Sequence, residues 1–177
     1  MGKQTKSSFT LKNTISTSRP LELLHLDLFG PSRNASLGGM FYAFVIVDDY
    51  SRFTWVCFLA HKDDAFKAFK NLAKRVQNDK GSCIATIRSD HGREFENESF
   101  KSFCNDFGIT HQFSSPRTPQ QNGVVERKNR TLVEMARTML KEYDLPSYFW
   151  AEAVNTACFI SNRVFKRPLI NKTSYEL

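Results

Sequence analysis

The sequence predicts an α/β fold in which one sheet of five strands is flanked by helices. Two observations support this prediction: three apolar strand-like stretches come first, and strands then alternate with amphipathic helices. A third is the length of 177 residues, 41% of them hydrophobic, which suits one domain with a sizeable core.

The strands are predicted from apolar runs bounded by polar turns. Along the first run, His25 and Asp27 alternate with leucines, so these two polar residues share one face of the strand. Residues 1–20 are polar and predict a flexible N-terminal segment, which leaves residues 21–177 as the folded domain. The predicted strands are 23–28, 41–47, 53–59, 84–88 and 109–113.

Four helices are predicted from apolar residues that recur every three or four positions. Gly81 and Gly108 are typical of the residue just beyond a helix end, and Pro146 is favoured at a first helical position. Residues 114–122 contain two prolines and predict a loop. The predicted helices are 62–79, about 98–107, about 124–143, and from Pro146 or Ser147 to about 164.

The composition limits the kinds of partner and metal site that we expect. The net charge of +7 suits either simple solubility or a polyanionic partner such as nucleic acid. No apolar run approaches the roughly 20 residues that span a bilayer, so we expect no membrane partner. The four cysteines lack the clustered spacing of a zinc site, and we expect buried, reduced thiols in an intracellular protein.

Three acidic residues stand in distinctive frames, and 35 residues separate the last two. Asp27 lies in HLDLFGP, Asp90 in SDHGREF and Glu126 in PQQNGVVERKNR. Three carboxylates from distant segments suit a pair of hard cations, Mg²⁺ or Mn²⁺, which clamp a phosphodiester for in-line displacement. Without cations, clustered carboxylates would repel and raise one another's pKa.

Together the three frames resemble the catalytic core of retroviral and retrotransposon integrases, and their wording is similar to the Ty1/copia class. The resemblance implies a ribonuclease H-like fold with a five-stranded mixed sheet flanked by helices. It also implies a polynucleotidyl transferase that processes the 3′ ends of element DNA and joins them to target DNA. Two Mg²⁺ (or Mn²⁺) ions would be held by the catalytic residues Asp27, Asp90 and Glu126.

The resemblance implies further properties of the protein. DNA, both element ends and target, is the expected partner, and a homo-oligomer is the expected assembly. Action in the nucleus follows from the inferred role, although the sequence carries no clear localisation signal. The chain would be an excised piece of a polyprotein, with the integrase core truncated at its C-terminal end.

Four residues around Glu126 are predicted to contact DNA. On a helix that begins near residue 124, Asn129 and Arg130 fall close to the azimuth of Glu126. Arg130 is predicted to hold a phosphate, and Asn129 to contact the DNA backbone or a base. Gln120 and Asn122 lie in a segment that resembles the flexible active-site loop of integrases, where their amides would orient a DNA end.

Two other functions stay open from the sequence. One is a related transposase or ribonuclease H-like nuclease with the same metal chemistry. The other is an inactive or domesticated integrase fragment that acts only as a DNA- or protein-binding module. A DNA-cleavage assay with a metal titration separates an enzyme from a binder.

Several neighbouring polar residues are expected to be structural. Asp48 and Asp49 lie in a predicted turn, where Asp accepts local backbone hydrogen bonds. His25 and His91 are expected to pack or to position other groups, because hard Mg²⁺ rarely selects imidazole. Basic residues on the first helix are expected to form its solvated face. They are Lys62, Lys67, Lys70, Lys74 and Arg75.

Overall fold

The predicted five-stranded mixed sheet is present in the computed structural model, which describes residues 17–114, 122–167 and 170–177. The strand order is β3-β2-β1-β4-β5. The β1–β2 and β2–β3 pairs are antiparallel, whereas β1–β4 and β4–β5 are parallel. The strands are β1 (Leu23–Phe29), β2 (Tyr42–Asp48), β3 (Thr54–Leu59), β4 (Thr86–Ser89) and β5 (Thr110–Phe113).

Four α-helices match the four predicted helices in order and approximate length. Gly81 and Gly108 follow α1 and α2 with left-handed φ angles of 60° and 64°, as their positions predicted. Asn97 is the N-cap residue of α2, and its side chain accepts a hydrogen bond from the Phe100 backbone N–H. The helices are α1 (Ala65–Lys80), α2 (Glu98–Phe107), α3 (Gly123–Glu142) and α4 (Trp150–Val164).

Two local predictions differ from the structure. Pro146 is not the first residue of a helix: its ψ of 143° is extended, and a 3₁₀ turn at Ser147–Phe149 separates it from α4. The φ of proline fits both positions, so the sequence could not distinguish them. Two short strands, β6 (Lys166–Arg167) and β7 (Lys172–Thr173), form a small antiparallel pair that was not predicted, because two residues carry no readable periodicity.

The sheet has two differently filled faces. The aromatic face, covered by α1 and α2, buries the leucines of β1 with a group of phenylalanines. The α3–α4 face, covered by the other two helices, is filled by smaller side chains such as Val45, Val125 and Ala157. The buried phenylalanines of the aromatic face are Phe44, Phe69, Phe95, Phe100 and Phe103.

Alternation along β1 assigns its side chains to these faces. Leu24 and Leu26 join the aromatic cluster. His25 and Asp27 are paired in register with Val47 and Val45, so they point to the α3–α4 face. The predicted separation of polar and apolar residues along this strand is therefore confirmed.

The edges of the described domain refine other predictions. Residues 1–16, most of the segment predicted to be flexible, lie outside the described residues. Thr17 is buried and donates a hydrogen bond from Oγ1 to Asp49 Oδ2 (2.9 Å), so the packed domain includes residues before the predicted boundary at 20. No helix within the described ranges is both long and apolar enough to cross a membrane.

The four cysteines are free thiols. Burial raises the pKa of both Cys104 and Cys158 to about 11, and Cys57 is half-buried. Cys83 is exposed in the connection before β4, so the prediction of a buried thiol is wrong there. The five basic residues assigned to the solvated face of the first helix are all exposed.

Candidate active site

Asp27 lies near the C-terminal end of the central strand β1, where α3 packs across the sheet. Its Oδ1 atom accepts a hydrogen bond from the Leu28 backbone N–H (2.9 Å). Its Oδ2 atom accepts a short hydrogen bond of 2.6 Å from Asn129 Nδ2 on α3. The carboxylate is therefore fixed by its own strand and by the helix that carries Glu126.

The other two predicted acidic residues influence the ionisation of Asp27. The pKa of Asp27 is raised to about 6, mainly by burial. Repulsion from Asp90 and Glu126 contributes to this rise, whereas the hydrogen bonds from Leu28 and Asn129 oppose it. Coulombic repulsion of this kind requires proximity. Residues up to 99 positions apart in the sequence are thus near enough for their charges to act on Asp27.

Asp90 follows directly after β4, the parallel neighbour of β1. Because parallel strands end at the same edge of a sheet, Asp90 and Asp27 lie at that shared edge. Asp90 Oδ1 accepts a hydrogen bond from the Gly92 backbone N–H (2.9 Å). A Cβ at Gly92 would lie 2.7 Å from Glu94 Cδ and 3.0 Å from Asp90 Oδ1, so a larger residue here would displace the ends of these two side chains.

Glu126 is exposed in the first turn of α3. The helix presents Val125, Leu132 and Ala136 to the core. This packing leaves the flank with Glu126 and Arg130 facing outwards, beside the edge where the two aspartates lie.

The four predicted DNA-contacting residues occupy different environments. Arg130 is exposed and free to meet a partner. Asn122 (3% exposed) directs Nδ2 to the Leu26 carbonyl oxygen at 3.4 Å, and Asn129 (7% exposed) bonds to Asp27. Both buried amide side chains thus donate hydrogen bonds to residues of β1. Gln120 lies outside the described residues.

The donor set suits a hard divalent cation. Three carboxylates offer the oxygen ligands that Mg²⁺ and Mn²⁺ prefer, and a cation would relieve the repulsion that raises the pKa of Asp27. Across residues 17–114, 122–167 and 170–177, no three His, Cys, Asp or Glu side chains are grouped so as to hold a metal ion as they stand. The carboxylates of Asp27 and Asp90 are turned towards Asn129 and Gly92.

The neighbouring acidic turn is structural, as expected. Asp48 Oδ2 accepts hydrogen bonds from the Ser51 backbone N–H (2.7 Å) and Oγ (2.6 Å). Asp49 Oδ1 lies 3.0 Å from His25 Nε2 and 2.9 Å from Arg52 Nη1. His25 is fully buried, and its burial lowers its pKa, so this histidine packs beneath the site.

His91 and two further polar residues flank Asp90. His91 Nδ1 lies 3.0 Å from Glu96 Oε2, and its ring stacks on Phe113. Sequence reasoning missed Ser89 and His111, whose side chains lie 2.9 Å apart across the β4–β5 pair. The signal that could have found them is the parallel pairing of the two strands, which brings residues 22 positions apart into contact.

Retrotransposon polyproteins are similar in sequence to this chain. The integrase core domain matches residues 17–119, more than half of the chain. The Pol polyprotein of transposon TNT 1-94 from Nicotiana tabacum is 42% identical over 95% of the chain, and that of transposon RE2 from Arabidopsis thaliana is 35% identical over 92%. The Ty1-DR6 Gag-Pol polyprotein of Saccharomyces cerevisiae is 30% identical over 81%. The chain spans 13%, 11% and 8% of these polyproteins, respectively.

Solved structures share the fold. The chain superposes with a TM-score of 0.69 on a chain of the simian T-cell lymphotropic virus intasome in complex with PP2A regulatory subunit B56 gamma, at 20% identity. That match covers 89% of this chain and 54% of the other. The trimeric form of the HTLV-2 integrase catalytic core domain in complex with magnesium matches with a TM-score of 0.65, at 20% identity over 89% of this chain and 95% of that one.

These likenesses confirm the ribonuclease H-like fold. The segment that matches the family model also contains two of the predicted site residues, Asp27 on β1 and Asp90 in the turn after β4. The chain therefore belongs to the integrase core domain family, and its relatives there include Ty1/copia-type retrotransposon polyproteins.

Proposed function

We propose that the protein is a metal-dependent polynucleotidyl transferase that processes the 3′ ends of retroelement DNA and joins them to target DNA. The observation that carries this proposal is the electrostatic coupling of Asp27 to Asp90 and Glu126 at one edge of the sheet. A structural role offers no reason to bring three carboxylates together against their mutual repulsion. A cation-assisted reaction does.

Asp27, Asp90 and Glu126 would hold two divalent cations, Mg²⁺ or Mn²⁺. When bound, such ions neutralise the carboxylates, activate the attacking oxygen and stabilise the charge that develops on a scissile phosphate. The magnesium complex of the HTLV-2 core domain, a protein of the same fold, supports this assignment.

The chain's own residues prepare the site for this chemistry. The hydrogen bond from Asn129 to Asp27 Oδ2 sets the side-chain angle of that carboxylate. The hydrogen bond from the Gly92 N–H does the same for Asp90. Both carboxylates are thus restrained before substrate arrives, which lowers the cost of ordering them during the reaction.

DNA binding is assigned to the exposed flank of α3. Arg130 lies one turn beyond Glu126, where its guanidinium can neutralise a phosphate next to the reacting group. The net charge of +7 favours association with DNA in general. The attacking group is a water molecule in 3′-end processing and a DNA 3′-hydroxyl in joining, and its new bond to phosphorus forms as the old P–O bond breaks.

We also propose that the protein acts as a homo-oligomer. Joining two DNA ends to one target requires more than one active centre. The HTLV-2 core domain is described in both trimeric and dimeric forms, which supports assembly as a property of this fold.

The proposal is tested by Glu126→Gln, with Glu134→Gln as the matched control on the same helix. Glu126 and Glu134 are both exposed on α3, so neither change should disturb folding. We expect Glu126→Gln to lower Mg²⁺-dependent DNA nicking and joining at least a hundredfold, because it removes a transition-state interaction. The Glu134→Gln variant should keep wild-type rates.

Wild-type joining by the Glu126→Gln variant in Mg²⁺ would refute the assignment. DNA binding without metal-dependent cleavage by the wild-type protein would favour the binding-module function.

A further inference from the structure

The turn that carries Asp90 is attached to the edge strand β5. Asp90 itself is exposed, but the residues on either side of it are not equally free. Ser89 is fully buried at the end of β4, and its Oγ atom contacts both His111 on β5 and the backbone carbonyl of Asp90. This arrangement links a side chain on the neighbouring strand to the backbone of Asp90.

The direction of the hydrogen bonds follows from the single hydrogen of a hydroxyl group. Ser89 Oγ donates that hydrogen to the Asp90 carbonyl oxygen at 2.9 Å. His111 Nε2, also 2.9 Å from Ser89 Oγ, must then be the donor in the second bond. The ring is thus the neutral Nε2–H tautomer. Burial lowers the pKa of His111 to about 4, which keeps the ring neutral near pH 7.

Ring stacking restrains the same elements. The His91 ring stacks on Phe113 with centroids 5.0 Å apart and an interplanar angle of 21°. Phe113 in turn lies 4.1 Å from the His111 ring, and His111 lies 5.9 Å from Phe100 of α2. On β5, the His111 ring therefore contacts Phe100 of α2, Phe113 and Ser89. These contacts restrain the ring in its hydrogen bond with Ser89.

We propose that His111 and Ser89 are positioning residues for Asp90, which hold its backbone through the chain of hydrogen bonds His111 Nε2–H to Ser89 Oγ–H to the Asp90 carbonyl. This inference rests on the proposed function, in which Asp90 is one of three metal-holding carboxylates. Neither residue touches the reacting groups. Their effect is to fix the point from which the Asp90 side chain extends, so that its carboxylate stays at the shared edge with Asp27.

The experiment separates the hydrogen bond from the ring. His111→Phe keeps an aromatic ring against Phe113 and Phe100 but has no donor, whereas His111→Gln keeps an N–H donor at a similar reach without the ring. Ser89→Ala removes the middle of the chain of hydrogen bonds. Thr110→Ala, at an exposed position of the same strand, is the matched control.

In Mg²⁺-dependent nicking of DNA, His111→Phe and Ser89→Ala should each be about tenfold slower than wild type, the value of one net hydrogen bond. The His111→Phe/Ser89→Ala double variant should be no slower than either single variant, because both changes break the same connection. The His111→Gln and Thr110→Ala variants should stay within about twofold of wild type, a recovery that a purely packing role of the ring does not predict.

A second measurement uses the metal-free protein and does not depend on activity. Amide hydrogen exchange at Asp90, His91 and Gly92 should be faster in His111→Phe and Ser89→Ala and unchanged in His111→Gln and Thr110→Ala. Equal exchange in wild type and His111→Phe would overturn the inference, as would equal impairment of His111→Gln and His111→Phe. If wild type itself fails to nick DNA, the proposed function fails, while the exchange rates still decide whether His111 positions the turn.

Discussion

The two faces of the sheet are packed by different kinds of side chain. The aromatic face is filled by large, fully buried side chains such as Phe44, Phe69 and Phe100. The rings of Phe69 and Phe100 contact one another, and Phe95 contacts both Phe44 and Phe100. The α3–α4 face is filled mainly by Ala and Val, together with Leu132 and Trp150. It also encloses buried polar groups, among them His25, Asn129 and Asn162. One face therefore supplies apolar burial, and the other accommodates hydrogen-bonding side chains.

This difference explains where the candidate site lies. Asp27 points to the α3–α4 face, where Asn129 offers it a partner. A carboxylate on the aromatic face would lose its hydration without gaining such a bond. Polar side chains do occur at the end of the aromatic face, where Ser89 and His111 adjoin the Asp90 turn. The sheet thus provides rigidity from one side and oriented polar groups from the other.

The largest effect is expected on the aromatic face. Phe100→Ala should lower the free energy of unfolding by about 4 kcal/mol, because it leaves a cavity among Phe66, Phe69 and Phe95. Urea denaturation measures the change. Phe107→Ala, at an exposed position of the same helix, should cost less than about 1 kcal/mol. Similar losses for both variants would mean that the aromatic face is not the main source of stability.

A smaller loss is expected on the α3–α4 face. Asn162 on α4 accepts a hydrogen bond from the Thr54 N–H (2.9 Å) and donates one to the Thr54 carbonyl (2.8 Å), which ties the helix to β3. Asn162→Ala removes the side-chain partner of the Thr54 N–H and leaves the Thr54 carbonyl with the Cys158 thiol at 3.2 Å. It should lower the free energy of unfolding by about 2 kcal/mol. Asn155→Ala, at an exposed position of α4, should have no measurable effect in the same denaturation experiment.

The smallest effect has the opposite sign. The pKa of Asp27 is about 6 in the folded protein and near 3.8 when unfolded, so the ionised carboxylate destabilises the metal-free fold above pH 6. That penalty disappears as the pH falls towards 4, because the folded state then takes up the proton more readily. The pKa of about 6 already includes the lowering by the hydrogen bond from Asn129, and a shift of this size corresponds to at most about 3 kcal/mol. The net gain on replacing Asp27 is smaller, because the replacement also disturbs that short hydrogen bond.

Asp27→Asn should therefore stabilise the metal-free protein by about 1–2 kcal/mol at pH 7 and by much less at pH 4. Thermal unfolding of wild type and variant between pH 4 and pH 8 measures the difference. Asp106→Asn, an exposed change on α2, should leave the pH profile unaltered. A pH-independent difference between wild type and Asp27→Asn would contradict the raised pKa.

Most secondary structure was predictable because its signals are local. The bounds of α2 follow from the apolar spacing between Asn97 and Gly108, and the faces of β1 follow from strict alternation. The β6–β7 pair escaped prediction because its strands are two residues long. The extended conformation of Pro146 escaped prediction because the fixed φ of proline fits both a first helical position and an extended residue.

The candidate site also has features that the sequence predicts and features that it does not. The frames around Asp27, Asp90 and Glu126 could be recognised directly in the sequence. In the structure, the charges of Asp90 and Glu126 contribute to the raised pKa of Asp27. The inward role of Asn122 and Asn129 could not be read, since helical azimuth places a side chain near a neighbour without telling whether water or protein covers it. The contact of Ser89 with His111 depends on strand register, which the sequence leaves open.

The most direct test of the central claim is the response of thermal stability to Mg²⁺ at pH 7.5. If Asp27, Asp90 and Glu126 share a cation site, Mg²⁺ at about ten times its Kd should raise the Tm of the wild-type protein by about 3–6 °C. The rise should saturate, and it should be absent in Glu126→Gln and Asp27→Asn but intact in Glu134→Gln. An equal rise in wild type and Glu126→Gln, or no saturable rise in wild type, would contradict the account.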